Sequence, residues 1–331
     1  MKIMVYEARP DERADLEKQA APHGVELSVT DAVPTLENAS LAAGCIGVSI
    51  LGQGCIDAAL LDAYHALGIR YLSTRTIGYD HIDLDHARSI GLRVCSASYA
   101  PNGVADFTVM MILMCLRHYK QALWRGQVND FSLTGLQGRE MKDLTIGIIG
   151  TGRIGAQVAR NLSGFGCRIL AYDLRRNPAV EPQVTYVDFD TLLAQSDVIT
   201  LHMPLLDSNR HIINRESVAK MRDGVVIVNC SRGELADIEA LIEGIETGKI
   251  GALGMDTVEG DEGIIHADHR VDILPNRNWF YLHQFRNVIM TQHMAFYTDA
   301  AVSSMVDCGI GGVCQMAAGE SCPTELTGPV Q

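Results

Sequence analysis

Short apolar runs rich in β-branched residues alternate with stretches of helical apolar spacing along almost the whole chain. The first half reads as strands at Lys2–Ala8, Val25–Val29, Cys45–Leu51, Ile69–Ser73 and Arg93–Ala97. Helical patterns such as Pro10–Ala21 and Ile56–Leu67 lie between them. The second half adds strands at Leu144–Gly150, Arg168–Asp173, Asp197–His202, Gly224–Cys230, Ile250–Asp256 and Asn287–His293, with helices such as Arg153–Phe165, Arg215–Met221 and Asp237–Thr247. Runs such as GVVIVNC are apolar at successive positions, so both faces need cover, as in a parallel sheet with helices on each side. The repeated βαβ pattern predicts two doubly wound α/β domains. A single helix is expected over Asn102–Trp124. Its first half, FTVMMILMCL, is apolar almost all round and must be buried on most sides, at a domain junction or a dimer interface. Thr298–Met316 reads as a further helix, followed by a frayed polar tail, GESCPTELTGPVQ.

Composition narrows the classes. The 331 residues carry 27 Lys+Arg against 40 Asp+Glu, a net charge of −13, which disfavours nucleic acid as a partner. With 47% hydrophobic and 20% charged residues the chain is globular rather than disordered. The longest apolar run, near Phe107–Leu116, is too short to span a bilayer, so no membrane partner is expected. The nine cysteines are scattered without a CxxC pair. They read as small buried hydrophobes in a reducing compartment, and no metal is expected. The opening residues, MKIMVYEARPDERADLEK, carry no apolar signal core, and the expectation is a cytoplasmic protein.

The strongest chemical signal is LTIGIIGTGRIG, with Gly150, Gly152 and Gly155 in GxGxxG spacing. It follows an expected strand and opens an expected helix, and the next strand ends in Asp173, 18 residues beyond Gly155. Gly150 allows the tight turn, Gly152 lets backbone approach a pyrophosphate, and the positive helix N-terminus faces the phosphates. Asp173 can accept from both ribose hydroxyls and repels a 2′-phosphate, favouring NAD over NADP, although Arg175 and Arg176 lie just beyond. The motif starts near residue 150, so a different domain comes first.

Three further segments fall at expected strand C-termini, where such sheets bind ligands: VNCSRGELAD, GALGMDTVEGDEG and VIMTQHMAFYT. Together with GTGRIG they resemble the D-isomer-specific 2-hydroxyacid dehydrogenases over nearly the full chain. The likeness is closest to the D-lactate dehydrogenase branch, including the dehydrogenases of vancomycin-resistance clusters. It is carried also by YLSTRTIGYDHID, SYAPNGVADFT and GFGCRILAYD. The resemblance implies a Rossmann NAD-binding domain, residues 100–298, inserted into a flavodoxin-like substrate domain, residues 1–99 plus 299–331. A homodimer through the cofactor domain is expected because the apolar helix near Asn102–Trp124 needs covering.

It also implies roles. Arg232 matches the arginine that grips the 2-keto acid carboxylate and polarises the carbonyl. His293, singled out among eleven histidines, matches the acid/base. His202 is read as shaping the cofactor pocket, and His81, His211 and His283 as structural or solvent-facing. The family places a Glu five positions after its strand-end Asp, and that Glu pairs with the His. Here the strand-end residue is Asp256 and the fifth position is Asp261, with Glu262 next and Glu259 before it. Asp261 is favoured as the partner, with Glu262 after a one-residue slip as the alternative and a weakened pair as a third. Gln292 stands where the family usually has Pro. Arg153 and Ile154 are expected at the pyrophosphate, Met203, Pro204 and Asn209 on the adenosine and ribose side, and Cys230, Ser231 and Asp256 near the nicotinamide. For the substrate, Arg75 opens the loop RTIGY, where the amides of Ile77 and Gly78 match a carboxylate site. Tyr99 matches a hydrogen-bonding pocket tyrosine and Phe296 an aromatic wall, with plain core packing as the other reading of both.

The implied activity is NADH-dependent reduction of a small 2-keto acid to the D-2-hydroxy acid, with pyruvate to D-lactate leading. A larger branched or aromatic 2-keto acid is the alternative, and SILGQGCID offers no obvious cation for a second carboxylate. A reading of a different class, a nicotinamide-sensing corepressor on the same scaffold, stays open because of the Asp261 departure.

Overall fold

The computed structural model describes residues 1–328; Pro329, Val330 and Gln331, the end of the expected tail, lie outside the described residues. The chain divides into two compact units, Met1–Ala100 together with the chain from Tyr297, and Pro101–Phe296.

In the first unit, strands β1 (Lys2–Val5), β2 (Glu26–Val29), β3 (Gly47–Ile50), β4 (Tyr71–Thr74) and β5 (Arg93–Cys95) form a parallel sheet of order β2-β1-β3-β4-β5. That is the flavodoxin-like order. The helix Asp299–Ala317 returns from the end of the chain to cover β3, β4 and β5. The expected frayed tail is instead ordered against β5. Leu326 N donates to Val94 O at 2.8 Å, Ser96 N to Thr324 O at 3.0 Å, and Arg93 pairs with Glu325 at 2.6 Å. An edge strand leaves N–H and C=O groups unpaired, and the polar tail satisfies them.

In the second unit, β6 (Thr145–Ile149), β7 (Arg168–Tyr172), β8 (Thr185–Tyr186), β9 (Val198–Leu201), β10 (Val225–Asn229), β11 (Ile250–Met255) and β12 (Val288–Met290) form a parallel sheet. Its order is β12-β11-β10-β9-β6-β7-β8. This is the Rossmann order, which reverses between β6 and β9 and opens a crevice beyond their C-terminal ends. The two-residue β8 and the short helices Leu84–Ser89, Phe189–Gln195 and Arg277–Gln284 carry too few periodic positions to announce themselves.

The expected single helix over Asn102–Trp124 is two, Asn102–Leu116 and Tyr119–Gln127, broken at His118 with φ +52°. The break has a partner. Arg139 N captures the Leu116 carbonyl at 3.1 Å, and a Cβ at Gly138 would lie 2.5 Å from that oxygen. The apolar first half packs within its own unit, against the helix Arg153–Ser163, β10 and β11. Among the described residues all nine cysteines are free; Cys55 is exposed, against the expectation of burial. No helix among them is long and apolar enough to cross a membrane, and no cluster suited to a metal ion occurs.

Candidate active site

The glycine loop after β6 is built by steric exclusion. Gly150 has φ +92°, and a Cβ on it would meet the His202 carbonyl oxygen at 2.5 Å. A Cβ on Gly155 would lie 1.9 Å from the Gly150 oxygen, so helix and strand touch backbone to backbone. Gly152 is the N-cap of Arg153–Ser163 and gives the helix no side-chain cap; a Cβ there would meet nothing within 4 Å. A bare helix N-terminus with open space above its cap glycine fits a dinucleotide pyrophosphate. Asp173, at the end of β7, faces this loop: Thr151 N and Oγ1 donate to its Oδ2 at 2.6 and 3.1 Å, and Arg175 N donates to Oδ1 at 2.9 Å. Thr151 is braced further by the Tyr186 hydroxyl at 2.9 Å and Asn177 Nδ2 at 2.8 Å. None of these three was legible as a site residue, because each acts on a partner that only the fold brings near.

After β9, the Asn209 side chain is committed to its own loop. Its Nδ2 donates to Pro204 O at 2.8 Å and contacts Met203 Sδ, and its Oδ1 accepts from Leu206 N. Asn209 thus braces the loop that carries Met203 and Pro204. His202 is neutral: burial pushes its pKa down to about 3, and Thr200 Oγ1 lies 2.9 Å from Nε2. The expected structural histidines are tied down as well. His211 meets Glu259 at 2.6 Å, and His283 stacks on Trp279.

Arg232 stands on a turn after β10. Buried Asn229 makes that turn, accepting from Ser231 N at 3.0 Å and donating to Arg232 O at 2.8 Å. Ser231 Oγ ties it to Met203 O at 2.6 Å, and Arg232 donates to the Ser231 carbonyl at 3.0 Å. A Cβ on Gly233 would lie 2.3 Å from the Val258 backbone, so this turn is locked against the segment after β11. The Cys230 thiol is buried, its pKa pushed up by burial, with Thr108 as a hydrogen-bond partner.

Asp256 follows β11, and its buried carboxylate accepts from Thr291 Oγ1 at 2.6 Å, Met294 N at 2.9 Å and Ala295 N at 2.8 Å. It thereby fixes the turn on which His293 sits with φ +53°. A left-handed non-glycine residue costs roughly 1–2 kcal/mol, and three hydrogen bonds to a buried carboxylate outweigh that. The His293 ring lies between His266, with centroids 6.1 Å apart, and Phe296, edge-on at 6.3 Å. His266 escaped the sequence reading. Of the neighbouring carboxylates, Glu259 is taken by His211 and by Ile238 N at 3.3 Å, and the alternative partner Glu262 is exposed. Asp261 is half-buried and accepts from Val258 N at 3.1 Å; burial raises its pKa to about 6. Gln292 is exposed and no contact explains the missing proline.

In the first unit, Ile77 and Gly78 form a turn after β4, where Thr76 Oγ1 donates to Gly78 O at 2.7 Å. Tyr99 is half-buried beyond β5. Arg75 points the other way. It is fully buried, bonded to Glu12 at 3.3 Å, Ser49 Oγ at 3.2 Å and Tyr6 O at 3.0 Å, so its assignment to substrate is corrected to a structural one.

Comparisons with known proteins bear on the family and the fold. The family description "D-isomer specific 2-hydroxyacid dehydrogenase, NAD binding domain" matches residues 109–295. An aromatic 2-oxoacid reductase of Clostridium sporogenes is 42% identical over 311 residues, 93% of each chain. The D-lactate dehydrogenase of Escherichia coli is 36% identical over 328 residues, 98% of this chain and all of that one. The NAD-complexed D-isomer specific 2-hydroxyacid dehydrogenase of Lactobacillus delbrueckii ssp. bulgaricus superposes with a TM-score of 0.84 at 30% identity, covering 98% of this chain and 100% of that one. The chain belongs to the D-isomer-specific 2-hydroxyacid dehydrogenases, and residues 109–295 match that family's NAD-binding domain.

Proposed function

We propose that this protein reduces a 2-keto acid to the D-2-hydroxy acid with NADH, pyruvate to D-lactate being the leading reaction, and that it works as a homodimer. One observation carries the reading: the ends of β10, β11 and β12 present Arg232, the Asp256-fixed turn and His293 on the sheet whose glycine loop fits the dinucleotide. Bound NADH supplies the hydride to the carbonyl carbon. Arg232 offers planar N–H donors to the substrate carboxylate and to the oxygen on which negative charge develops. His293, as imidazolium, gives its proton to that oxygen, so one hydride and one proton make the alcohol; in the reverse direction it takes the proton back. Asp261 is the carboxylate we assign to orient and charge-balance His293.

The remaining assignments follow the family pattern. The amides of Arg153 and Ile154 serve the pyrophosphate, Asp173 the ribose, and Met203, Pro204 and Ser231 border the cofactor through backbone. Ile77, Gly78 and Tyr99 serve the substrate carboxylate and carbonyl, and Phe296 limits the side chain. A second reading, an aromatic or branched 2-keto acid, is favoured by the C. sporogenes relative, which is more identical than the E. coli D-lactate dehydrogenase.

The test is NADH oxidation with pyruvate, 2-ketoisocaproate, phenylpyruvate and 2-oxoglutarate, with product chirality determined. The highest kcat/KM is expected with pyruvate, giving D-lactate; a preference for phenylpyruvate establishes the second reading. No turnover with tight NADH binding leaves the corepressor-like reading. His293→Ala is expected to lower kcat by about 10²–10⁴; near-parental turnover removes His293 from the chemistry.

A further inference from the structure

We propose that His266 is a positioning residue for His293, clamping the peptide that follows the acid/base; this rests on the reading of His293 given above. His266 Nε2 stands 3.3 Å from the His293 carbonyl oxygen. A carbonyl only accepts, so that nitrogen carries hydrogen in either charge state of the ring. The peptide joining His293 to Met294 is therefore held at both poles. Its C=O meets His266, and its N–H donates to Asp256 Oδ1 at 2.9 Å. Asp256 alone holds only the N–H side, through Met294 and Ala295. Loss of the His266 hold lets the peptide plane rotate and take the His293 side chain out of line.

The need for a clamp is visible in the backbone. His293 has φ +53° and His266 has φ +63°, a region that non-glycine residues occupy only where their surroundings over-determine it. The two imidazoles face one another with centroids 6.1 Å apart and planes tilted by 38°. His266 also follows directly on the Asp261 turn. Ile264 N and Ile265 N both donate to the Asp261 carbonyl, at 3.0 and 3.3 Å, so the turn that carries this carboxylate leads directly into His266. One short segment thus supplies the acid assigned to the imidazole and the donor that fixes its backbone.

The experiment compares His266→Phe, which keeps a ring and loses the donor, with His266→Gln, which keeps an amide N–H at similar reach. Both are made in the full chain and assayed with NADH and its best keto acid. One lost neutral hydrogen bond predicts that His266→Phe lowers kcat roughly three- to tenfold, while KM for NADH and the melting temperature stay at parental values. His266→Gln is expected to recover kcat to within about twofold of the parent. In a His293→Ala background, His266→Phe should lower turnover no further, because the clamp acts only through that imidazole. Parental kcat in His266→Phe, an equal loss in both variants, or an undiminished effect in the His293→Ala background each overturns the proposal. If His293→Ala itself turns over like the parent, the acid/base reading fails instead.

Discussion

Arg75 and Glu12 form a fully buried ion pair, and the helix Asp299–Ala317 passes so close that a Cβ on Gly309 would lie 2.8 Å from Arg75 Cγ. Arg75→Met keeps an unbranched apolar stem but removes one of the two cations on the buried Glu12 carboxylate, Arg9 staying at 3.3 Å. The expected cost is about 1.5–3 kcal/mol, read as a lower urea midpoint, with KM for the keto acid unchanged. A raised KM at parental stability would restore Arg75 to the substrate. Asp173→Ala should weaken NADH binding and relax discrimination against NADPH; a parent that already prefers NADPH refutes the ribose assignment. Residues whose role is steric or fixed by spacing, such as Gly150, Gly155 and Asp173, were readable because the chemistry needs that type at that interval. Asn229 and His266 were not, since each serves a backbone group reached only through the folded turn, nor was Thr151, which serves the Asp173 carboxylate from 22 residues away. Arg75 was misread because a motif marks where a turn is, not which way the strand-end side chain before it points.

Elements were readable where periodicity was long and failed where a distant segment intervened. Nothing within Asn102–Trp124 announces a break at His118; the cause is Arg139 capturing the Leu116 carbonyl. Nothing in the polar tail announces a bridge to Cys95, because the donors it satisfies belong to β5. The turn Val258–Asp261 carries a pH prediction. Burial raises the Asp261 carboxyl from 3.8 to about 6, so the folded chain holds this proton more tightly than the unfolded chain does. The stabilisation is complete below about pH 4 and is lost as pH rises through about 6, where ionisation must occur in a half-buried site. Asp261→Asn keeps an acceptor for Val258 N and removes the charge. It should raise the melting temperature at about pH 8 and leave it unchanged at about pH 4. The same variant should lower kcat if Asp261 partners His293. Stability without a pH-dependent difference would place the carboxylate in water.

At the scale of the molecule, two parallel sheets were foreseeable from strands apolar on both faces, while their orders, which depend on crossovers rather than on composition, were implied only by the family resemblance. The apolar surface shows the same division. The sequence placed the segment needing cover in the first half of Asn102–Trp124, yet that half is buried within its own unit. The uncovered side chains follow it. Tyr119, Leu123, Trp124, Val128, Phe131 and Leu133 are all exposed, Phe131 at 79% and Leu133 at 83%. Apolar periodicity says that a face avoids water, not which chain covers it. A run of this size on a lone subunit would be an aggregation hazard, and a second copy is the cover we propose. Light scattering at about ten micromolar should give twice the monomer mass, because large apolar interfaces hold at such concentrations. Trp124→Glu combined with Phe131→Glu should yield monomers that still fold, since neither side chain contributes to a core. A parent that runs as a monomer refutes the homodimer, and a variant that remains dimeric moves the interface elsewhere on the chain.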